Sequence, residues 1–465
     1  MPPIKPYQFQ KEGILDMEDF LTVGGGTLLG DDMGLGKTLS TLWLLRRGRA
    51  GEMFPALVVC PANVKYGWEH AAATHVGIRA QVLEGKSPPE GGIGNVPERI
   101  TIINPDILPA WLPYLRRAGF RTLVLDECQY FGNPRAKRTR AAFDLARDMP
   151  YRMALSGTPL MNAPGELWPT LYMLRPDKFR SFFSFADDYC KPKKEFGKWT
   201  FKGARNLPQL HSLLRRTLMV RRLKSDVLHD LPAKNRVVVP MELSNRDEYE
   251  HAKTDFVGWL QKNYRDDRGR VNRATRAVAV TRVGYLVRLA ARLKSRAVVA
   301  WANRFLTEYP EEKLVLFAIH KKMIDVLRRR IDVKSVVVDG SVTGRHRKMA
   351  VDQFRKDPAT RLFIGNMRAA GVGVDGLQEV CTNAAFAEIW WVPATHVQAE
   401  DRIYRIGQKN VAWIHYLISG DTIEERLCSV VQEKMKTIHA TLDGQGDAGD
   451  MDVFDLLIAA LEEGA

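Results

Sequence analysis

Short apolar runs alternate with segments of helical periodicity over residues 27–155. Runs that are apolar at nearly every position are typical of strands buried on both faces of a parallel sheet. The alternation therefore predicts an α/β domain in which helices cover both faces of such a sheet. The predicted strands span residues 27–29, 56–60, 100–103, 121–125 and 153–155.

The same pattern returns after residue 313, and the chain between the two regions is different. Further buried strands are predicted at 314–319, 335–338, 361–364 and 383–386, with helices at 323–330 and 346–354. Longer helical patterns occupy residues 163–235. A basic helical pattern occupies about 243–300. We interpret it as a basic helical insertion, and the alternative is that its charges only form a solvated helix face. We predict a first α/β lobe at 1–235 with an insertion at 163–235, a second at 236–445 with an insertion at about 243–300, and a cleft between the lobes.

Charge is distributed unevenly along the chain. The formal net charge is +15, but the residues from Gly444 onward carry −6, which leaves +21 on the remainder. A body this basic is expected to attract a polyanion, usually nucleic acid, although solvated surface lysines are the alternative. We predict that the acidic tail at 446–465 forms a helix that docks its apolar face on the body or binds a protein partner.

The composition limits where in the cell the protein is expected and whether it is expected to bind zinc or form disulfides. The chain is 45% hydrophobic and 26% charged, as is typical of globular proteins. We find no apolar run near the ~18 residues of a membrane span and no signal peptide. The five cysteines lack paired spacing, which argues against zinc and disulfides. We expect an intracellular monomer with no membrane partner. Its small size and missing accessory modules suggest a bacterial or viral source, in which case the protein would be cytoplasmic. A eukaryotic protein of this kind would be nuclear.

Residues 30–38, with the sequence GDDMGLGKT, follow the first predicted strand and precede a helix. Glycines at 34 and 36 allow successive backbone amides to face one anion, and the helix adds its positive N-terminal end. In such a loop Lys37 reaches the β and γ phosphates and the Thr38 hydroxyl holds Mg²⁺. The full phosphate-loop pattern has glycine where this chain has Asp31, so a glycine-rich turn before an ordinary helix is the alternative.

Two predicted strands end in groups suited to nucleotide hydrolysis. Asp126 and Glu127 follow the strand at 121–125 at its carboxyl end, where α/β sheets bind ligands. Asp126 is suited to hold Mg²⁺ and Glu127 to orient and deprotonate the attacking water, although acidic pairs at strand ends are common. Ser156 and Thr158 follow the strand at 153–155, where their hydroxyls are suited to relay the state of the nucleotide. A simple turn is the alternative there.

Residues 398–408, with the sequence QAEDRIYRIGQ, are the most specific stretch of the second lobe. If this stretch is helical, Arg402 and Arg405 project from one face. An arginine supplied to the γ phosphate stabilises the charge that develops during hydrolysis, with an effect of ~10³ to 10⁵ on the rate. An exposed pair that makes surface salt bridges is the alternative.

Taken in order, these motifs resemble those of the superfamily-two helicases in their Swi/Snf form. The resemblance spans about residues 6–427. FAEIWW at 386–391, followed by QAEDR, is most similar to the HARP-type annealing helicases. Gln129 and Tyr404 stand where the family often has histidine. The matching segments are PYQ at 6–8, GDDMGLGKT at 30–38, DECQ at 126–129, LSGTPL at 155–160, VDGS at 338–341, AGVG at 370–373 and QAEDRIYRIGQ at 398–408.

The resemblance implies a P-loop NTPase with two RecA-like lobes and helical insertions that uses ATP and Mg²⁺ and acts on double-stranded or forked DNA. It assigns catalysis to Lys37, Asp126, Glu127, Arg402 and Arg405, with Arg405 as the arginine finger. The other roles that it implies are adenine recognition by Gln8; nucleotide binding by Asp32, Met33, Gly34, Leu35, Gly36, Lys37, Thr38, Gly373 and Asp375; Mg²⁺ binding by Thr38 and Asp126; coupling by Gln129, Ser156, Thr158 and Gln398; and DNA contacts by Lys65, Asn162, Arg347, Arg368 and Trp391.

The favoured function is therefore an ATP-dependent translocase on double-stranded DNA. A strand-separating or annealing helicase would share the ATPase site but needs a pin or wedge, and no pattern in the sequence identifies one. A nucleotide-binding scaffold without catalysis would have no need of Glu127 or of an arginine finger. The intact set of catalytic residues argues against this third function.

Overall fold

The structure is a computed structural model that describes residues 5–48, 52–86, 88, 99–161, 163–195, 198–201, 203–263, 273–342, 344–370 and 374–444. The chain divides into two compact units. Unit 1 comprises Met1–Pro192, Phe201–His229 and Lys436–Ala448, and unit 2 comprises Lys193–Thr200, Asp230–Met435 and Gly449–Ala465, each as far as its residues are described. The predicted tail helix at 446–465 lies outside the described residues.

The strands, in chain order, are β1 Gly26–Leu29, β2 Ala56–Val59, β3 Ala80–Val82, β4 Ile100–Ile103, β5 Thr122–Asp126, β6 Tyr151–Leu155, β7 Lys193–Glu195, β8 Lys198–Thr200, β9 Met219–Val220, β10 Lys234–Pro240, β11 Leu314–Ala318, β12 Lys334–Val338, β13 Thr360–Asn366, β14 Asn383–Phe386 and β15 Ala412–Ile418.

The helices, in chain order, are α1 Gln8–Gly24, α2 Lys37–Arg47, α3 Lys65–Val76, α4 Leu108–Arg117, α5 Lys137–Asp148, α6 Trp168–Leu174, α7 Phe182–Tyr189, α8 Leu207–Thr217, α9 Lys224–Val227, α10 Arg246–Asn263, α11 Arg273–Glu308, α12 Lys321–Arg330, α13 Gly344–Lys356, α14 Met367–Ala370, α15 Pro393–Glu400 and α16 Ile423–Leu442. Within the ranges that the structure describes, no helix combines the length and the apolar character that crossing a membrane requires.

An all-parallel sheet with the strand order β3-β4-β2-β5-β6-β1-β9 forms the centre of unit 1. The parallel sheet that the apolar runs predict is confirmed. Strands β5, β6 and β1 are neighbours, so their carboxyl ends meet at one edge of the sheet. The fold therefore brings together the segments at 30–38, 126–127 and 156–158.

The helical insertion predicted at 163–235 ends differently in the structure. Helices α6, α7 and α8 occupy most of it, but the chain then returns to the sheet as β9. Leu28 and Leu29 of β1 pair in parallel with Met219 and Val220 of β9. Residues 219–224 therefore lie beside the loop at 30–38.

Unit 2 contains a second all-parallel sheet, with the strand order β10-β15-β14-β11-β13-β12. Side chains of β11 alternate between its two faces, as the geometry of a strand requires. Leu314, Leu316 and Ala318 pack into a core with α11 and α12. Val315 and Phe317 pack into a second core that includes Phe354 of α13. Both faces are thus covered, which explains why this run is apolar at every position.

The Glu400 carboxylate is the buried centre of a polar network in unit 2. It is 1% exposed and accepts hydrogen bonds from Lys234 Nζ at 2.7 Å, from Arg236 Nε and Nη2 at 2.7 Å each, and from Tyr416 Oη at 2.8 Å. Burial raises its pKa, but the hydrogen bonds of Arg236 and the charge of Lys234 outweigh burial and lower the pKa to about 2.

Because the folded pKa of Glu400 lies below the unfolded one, its contribution to stability is present above pH ~4.5 and is lost as the pH falls towards ~2. Between pH 6 and pH 3.5 about 1.4 kcal/mol of that contribution should disappear. The test compares the pH dependence of the free energy of unfolding in wild type and Glu400→Gln. Parallel curves for the two proteins over this range would contradict the expectation.

Candidate nucleotide-binding site

The loop between β1 and α2 has the backbone of a phosphate-binding loop. Gly34 and Gly36 have φ values of 80° and 79°, which favour glycine, and α2 begins at Lys37. Lys37 Nζ donates to the carbonyl oxygens of Asp31 at 2.8 Å and Asp32 at 3.1 Å. Burial lowers the pKa of Lys37, while the charges of Glu127 and other nearby carboxylates oppose that shift. The ammonium group therefore lies over the curled loop, within the field of the acidic residues.

Gly157 lies directly against this loop. A Cβ atom at position 157 would lie 2.5 Å from Met33 Cγ and 3.2 Å from Lys37 Nζ. A side chain there would force the Met33 side chain or the loop itself to shift, because Cβ contacts below 3.0 Å are essentially unknown. The segment after β6 is therefore in contact with the loop that is predicted to hold the phosphates.

Asp31, which departs from the full phosphate-loop pattern, is a buried structural residue. Its side chain is fully buried, and Oδ1 accepts from the backbone N–H and the Nε of Arg222, each at 3.0 Å, while Oδ2 accepts from Nη2. The Arg222 guanidinium also donates to the Phe9 carbonyl oxygen in α1. One ion pair thus ties the loop to α1 and to the segment after β9, which explains why this position is not glycine.

Arg221 also contacts this loop. Its guanidinium donates to the carbonyl oxygens of Gly30 and Gly157, and it pairs with Asp32 at 3.4 Å. It also pairs with Asp443, which in turn accepts from His439 Nδ1 at 2.7 Å. Sequence reasoning missed Arg221 and Arg222. The signal was an arginine pair after the apolar run at 218–220, which falls inside the segment that the sequence analysis assigns to the helical insertion at 163–235.

Replacing Asp31 by asparagine should lower the free energy of unfolding by roughly 3 kcal/mol, because it leaves the mostly buried Arg222 guanidinium, whose side chain is 15% exposed, without a counter-charge. The measurement is urea unfolding at pH 7. Asp144→Asn is the matched control, since it removes an exposed pair with Arg147 at 3.5 Å that is worth at most about 1 kcal/mol. Equal losses in the two variants would show that the buried pair has no special weight.

Asp126 and Glu127 lie at the carboxyl end of β5, as the sequence predicts. Asp126 Oδ1 accepts from the Glu127 backbone N–H at 3.0 Å, and Oδ2 accepts from Trp68 Nε1 at 2.7 Å. Burial and the adjacent Glu127 raise the pKa of Asp126 to about 7, against the lowering effects of Trp68 and Lys37. Glu127 has φ 52° and ψ 57°, a left-handed conformation that is uncommon for a residue with a side chain. The two carboxylates are therefore held close together in defined orientations.

A chain of hydrogen bonds leads from Glu127 to the segment after β6. Gln129 Nε2 donates to Glu127 Oε2 at 2.6 Å, and Ser156 Oγ donates to Gln129 Oε1 at 2.7 Å. The Thr158 backbone N–H donates to Ser156 Oγ at 3.0 Å. The Thr158 hydroxyl is buried and has no hydrogen-bond partner in the part of the chain that the structure describes. Three predicted coupling residues therefore form one continuous path from the Glu127 carboxylate.

Two glutamines at the start of α1 lie in different environments. Gln8, the predicted adenine contact, donates to Glu12 Oε1 at 2.9 Å on the exposed side of the helix. Gln10 is 1% exposed, accepts from the Tyr7 backbone N–H at 2.9 Å and donates to the Leu35 carbonyl oxygen at 2.9 Å. The structure therefore brings Gln10, and not Gln8, against the phosphate-binding loop.

In unit 2, Arg402 and Arg405 meet at one carboxylate, but not on a helix. Helix α15 ends at Glu400, so the predicted helical face is wrong. Arg402 Nη1 donates to Asp375 Oδ1 at 3.1 Å and to the Val374 carbonyl oxygen at 2.8 Å, and Arg405 Nη1 also donates to Asp375 Oδ1. Gln398 is buried, and its carbonyl oxygen accepts from Arg402 Nε at 3.3 Å. The turn after α15, and not a helix, therefore brings Arg402 and Arg405 together.

The predicted DNA contacts have mixed outcomes. Lys65 and Arg347 are buried, with Lys65 Nζ donating to the Leu83 carbonyl oxygen at 2.9 Å, so neither is placed to meet DNA. Arg368 is exposed and its guanidinium lies 5.7 Å from the Trp390 ring centroid. Trp391 is half-buried and tilted against Trp390, with ring centroids 4.4 Å apart. Asn162 and the predicted nucleotide contact Gly373 lie outside the described residues.

The oxygen donors in unit 1 suit Mg²⁺ bound together with a nucleotide. Within the described ranges, no three His, Cys, Asp or Glu residues are grouped so as to hold a metal ion. Mg²⁺ usually takes only one or two protein ligands and keeps water and phosphate oxygens for the rest. Burial and, after it, the charge of Glu127 raise the pKa of Asp126, and a cation beside the two carboxylates would offset their repulsion. The residues present therefore fit the ion.

Comparison with known proteins gives matches along most of the chain. Residues 9–278 match the SNF2-related domain and residues 297–407 match the helicase conserved C-terminal domain. Over 445 residues the chain is 30% identical to the SWI/SNF-related matrix-associated actin-dependent regulator of chromatin subfamily A-like protein 1 homolog of Caenorhabditis elegans, covering 93% of this chain and 61% of that protein. Over 456 residues it is 31% identical to the DNA annealing helicase and endonuclease ZRANB3 of Mus musculus, covering 94% and 41%.

The chain thus spans between about two-fifths and three-fifths of the length of these relatives. Among solved structures, it is similar to the Sulfolobus solfataricus SWI2/SNF2 ATPase core in complex with dsDNA, with 22% identity, a TM-score of 0.45 and 96% of each chain covered. The match to the SNF2-related domain extends over more than half of the chain. The chain belongs to the SNF2-related family.

Proposed function

We propose that this chain is a DNA-dependent ATPase that converts ATP hydrolysis into movement along double-stranded DNA. One observation carries the proposal. In unit 1, the phosphate-binding loop with Lys37 and the carboxylates of Asp126 and Glu127 converge, and Glu127 is hydrogen-bonded to Gln129. A scaffold that only binds nucleotide has no physical need of a carboxylate held in place for water activation.

The residues of unit 1 divide the work of hydrolysis among them. The amides of the loop and Lys37 bind the phosphates, while Gln10 holds the loop through the Leu35 carbonyl oxygen and Gln8 is the proposed adenine contact. Thr38 and Asp126 would hold Mg²⁺, which neutralises phosphate charge when it is bound. Glu127 orients the attacking water and accepts its proton. The hydrogen bonds through Gln129 and Ser156 would transmit the state of the γ phosphate to other parts of the protein.

We further propose that Arg405 of unit 2 acts on the γ phosphate in the ATP-bound state. A guanidinium is always charged and binds phosphate oxygens through a rigid fork of donors. Asp375 accepts a hydrogen bond from this guanidinium, and Arg402, which also donates to the Val374 carbonyl oxygen, holds Asp375 in turn. Arg402 therefore supports the site, and Arg405 supplies the cation.

The basic composition and the relatives together support DNA as the polymer. One relative is named as a DNA annealing helicase and endonuclease, and another as a regulator of chromatin. Charge attraction to the phosphate backbone dominates such binding, so stimulation by DNA should fall steeply between ~50 and ~200 mM salt. Because Lys65 and Arg347 are buried, the proposed DNA contacts are Arg368, Trp391 and Asn162, the last of which lies outside the described residues.

The test is steady-state ATP hydrolysis without nucleic acid and with single-stranded DNA, duplex DNA, forked DNA and RNA in turn. Strong stimulation by duplex or forked DNA, followed by ATP-dependent displacement of a triplex strand, is the expected result. Stimulation by single strands or RNA alone would point instead to a strand-separating helicase. No hydrolysis with any polymer would overturn the proposal.

A further inference from the structure

Trp68 is a buried residue that no step of the proposed chemistry uses, yet it contacts the predicted magnesium ligand. It lies on α3, is 2% exposed and belongs to the hydrophobic core of unit 1. Its indole Nε1 donates to Asp126 Oδ2 at 2.7 Å, across 58 residues of sequence. A buried indole N–H requires a partner, but a backbone carbonyl oxygen would serve equally well. That Trp68 donates to the Asp126 carboxylate, and not to a backbone carbonyl oxygen, therefore calls for an explanation.

The two oxygens of Asp126 are held by different donors. Oδ1 accepts from the Glu127 backbone N–H at 3.0 Å, and Oδ2 accepts from Trp68 Nε1. One donor on each oxygen fixes the rotation of the carboxylate about its last bond. Each oxygen still has a lone pair free for a metal-bound water, because a carboxylate offers about four acceptor sites.

The indole N–H is suited to this task because it only donates. A lysine in its place would neutralise the carboxylate, and an asparagine or serine would bring a lone pair that competes for the cation. An indole does neither, so it orients Asp126 and leaves its charge available. Its rigid ring is also buried in the hydrophobic core of unit 1, which limits the movement of the donor.

We propose that Trp68 is a positioning residue of the magnesium site, which acts by orienting the Asp126 carboxylate towards the cation that accompanies ATP. The inference rests on the role proposed for Asp126. Hydrogen bonds to metal ligands typically change metal affinity by 10- to 100-fold when they are removed. Loss of the indole N–H should therefore raise the Mg²⁺ concentration needed for half-maximal nucleotide binding by about 10-fold.

The chain supplies a matched control. Trp111 is also 2% exposed and lies in unit 1, but its Nε1 donates to the Gly85 carbonyl oxygen at 3.2 Å and not to a catalytic group. Trp68→Phe and Trp111→Phe each remove an indole N–H from the interior. A role in packing alone would affect both variants alike, whereas a role in metal binding would separate them.

The experiment titrates Mg²⁺ against binding of a fluorescent, non-hydrolysable ATP analogue to the full chain, without measuring turnover. Trp68→Phe should need about 10-fold more Mg²⁺ than wild type, and Trp111→Phe should match wild type. If Trp68→Phe does not fold, benzothienylalanine incorporated at position 68 keeps the ring size and lacks the N–H. An unchanged Mg²⁺ requirement in the folded variant would overturn the inference.

Asp126→Asn separates this inference from the proposal on which it rests. If Asp126→Asn also leaves the Mg²⁺ requirement unchanged, the role of Asp126 in the ATPase site is wrong. If Asp126→Asn raises the requirement and the change at position 68 does not, the ATPase site stands and only the role of Trp68 fails.

Discussion

Replacing Arg405 by alanine is expected to lower the kcat for DNA-stimulated ATP hydrolysis by about 10³- to 10⁵-fold, while nucleotide binding stays within about 3-fold of wild type. The reason is that an arginine finger stabilises charge that develops only in the transition state, so its loss affects the chemical step and not the ground state. The measurement combines phosphate release at saturating DNA with equilibrium binding of a fluorescent ATP analogue.

Two further variants show whether the effect belongs to the guanidinium fork. Arg405→Lys keeps the charge but loses the planar donors, so it should remain at least about 100-fold impaired. Arg246→Ala removes another arginine of unit 2 that pairs with a carboxylate, Glu250, at 3.4 Å, and it should hydrolyse ATP normally. Full activity of Arg405→Ala would show that a residue other than Arg405 supplies the positive charge that acts on the γ phosphate.

Glu127→Gln should bind ATP as tightly as wild type and hydrolyse it about 10²- to 10⁴-fold more slowly, because an amide does not accept the proton of the attacking water. Glutamine has nearly the shape of glutamate, and its carbonyl oxygen still accepts the hydrogen bond that Gln129 Nε2 makes at 2.6 Å. The fold of the site should therefore survive. The measurement is single-turnover hydrolysis of ATP in the presence of duplex DNA.

The control for this variant is Glu52→Gln, which changes an exposed carboxylate of the same unit. It should leave both binding and turnover unchanged. Hydrolysis by Glu127→Gln within about 3-fold of wild type would remove Glu127 from the role of general base.

The sequence predicts those parts of the fold that depend on neighbouring residues along the chain. Strand β11 is apolar at every position because helices cover both faces of its sheet, so its pattern is strong. Strand β9 has only two residues, which is too short for any periodicity. Strand β10 has the exposed residues Val237 and Val238 and lies at the edge of its sheet, so the buried-strand pattern does not apply to it.

The residues of the site also divide into those that the sequence predicts and those that it does not. Lys37, Asp126 and Glu127 were predictable because each adjoins a buried strand or a glycine-rich turn. Two other residues were not predictable, because the three-dimensional packing selects them. Of two glutamines in one helical turn, the orientation of α1 alone determines that Gln10 faces the loop. The partner of Asp31, Arg222, lies 191 residues further along the chain, and no local pattern connects the two.

That separation has a consequence for synthesis on the ribosome. Strand β1 is completed on both sides only when β6 and β9 have been made, and the ion pair of Asp31 waits for Arg222. Contacts between distant segments form slowly, and unpaired strand edges expose a nascent chain to aggregation. The nucleotide loop therefore leaves the ribosome well before β6, β9 and Arg222, the segments that complete its surroundings. Nascent chains released before residue 222 should lack a formed ATP site and depend on chaperones to stay soluble.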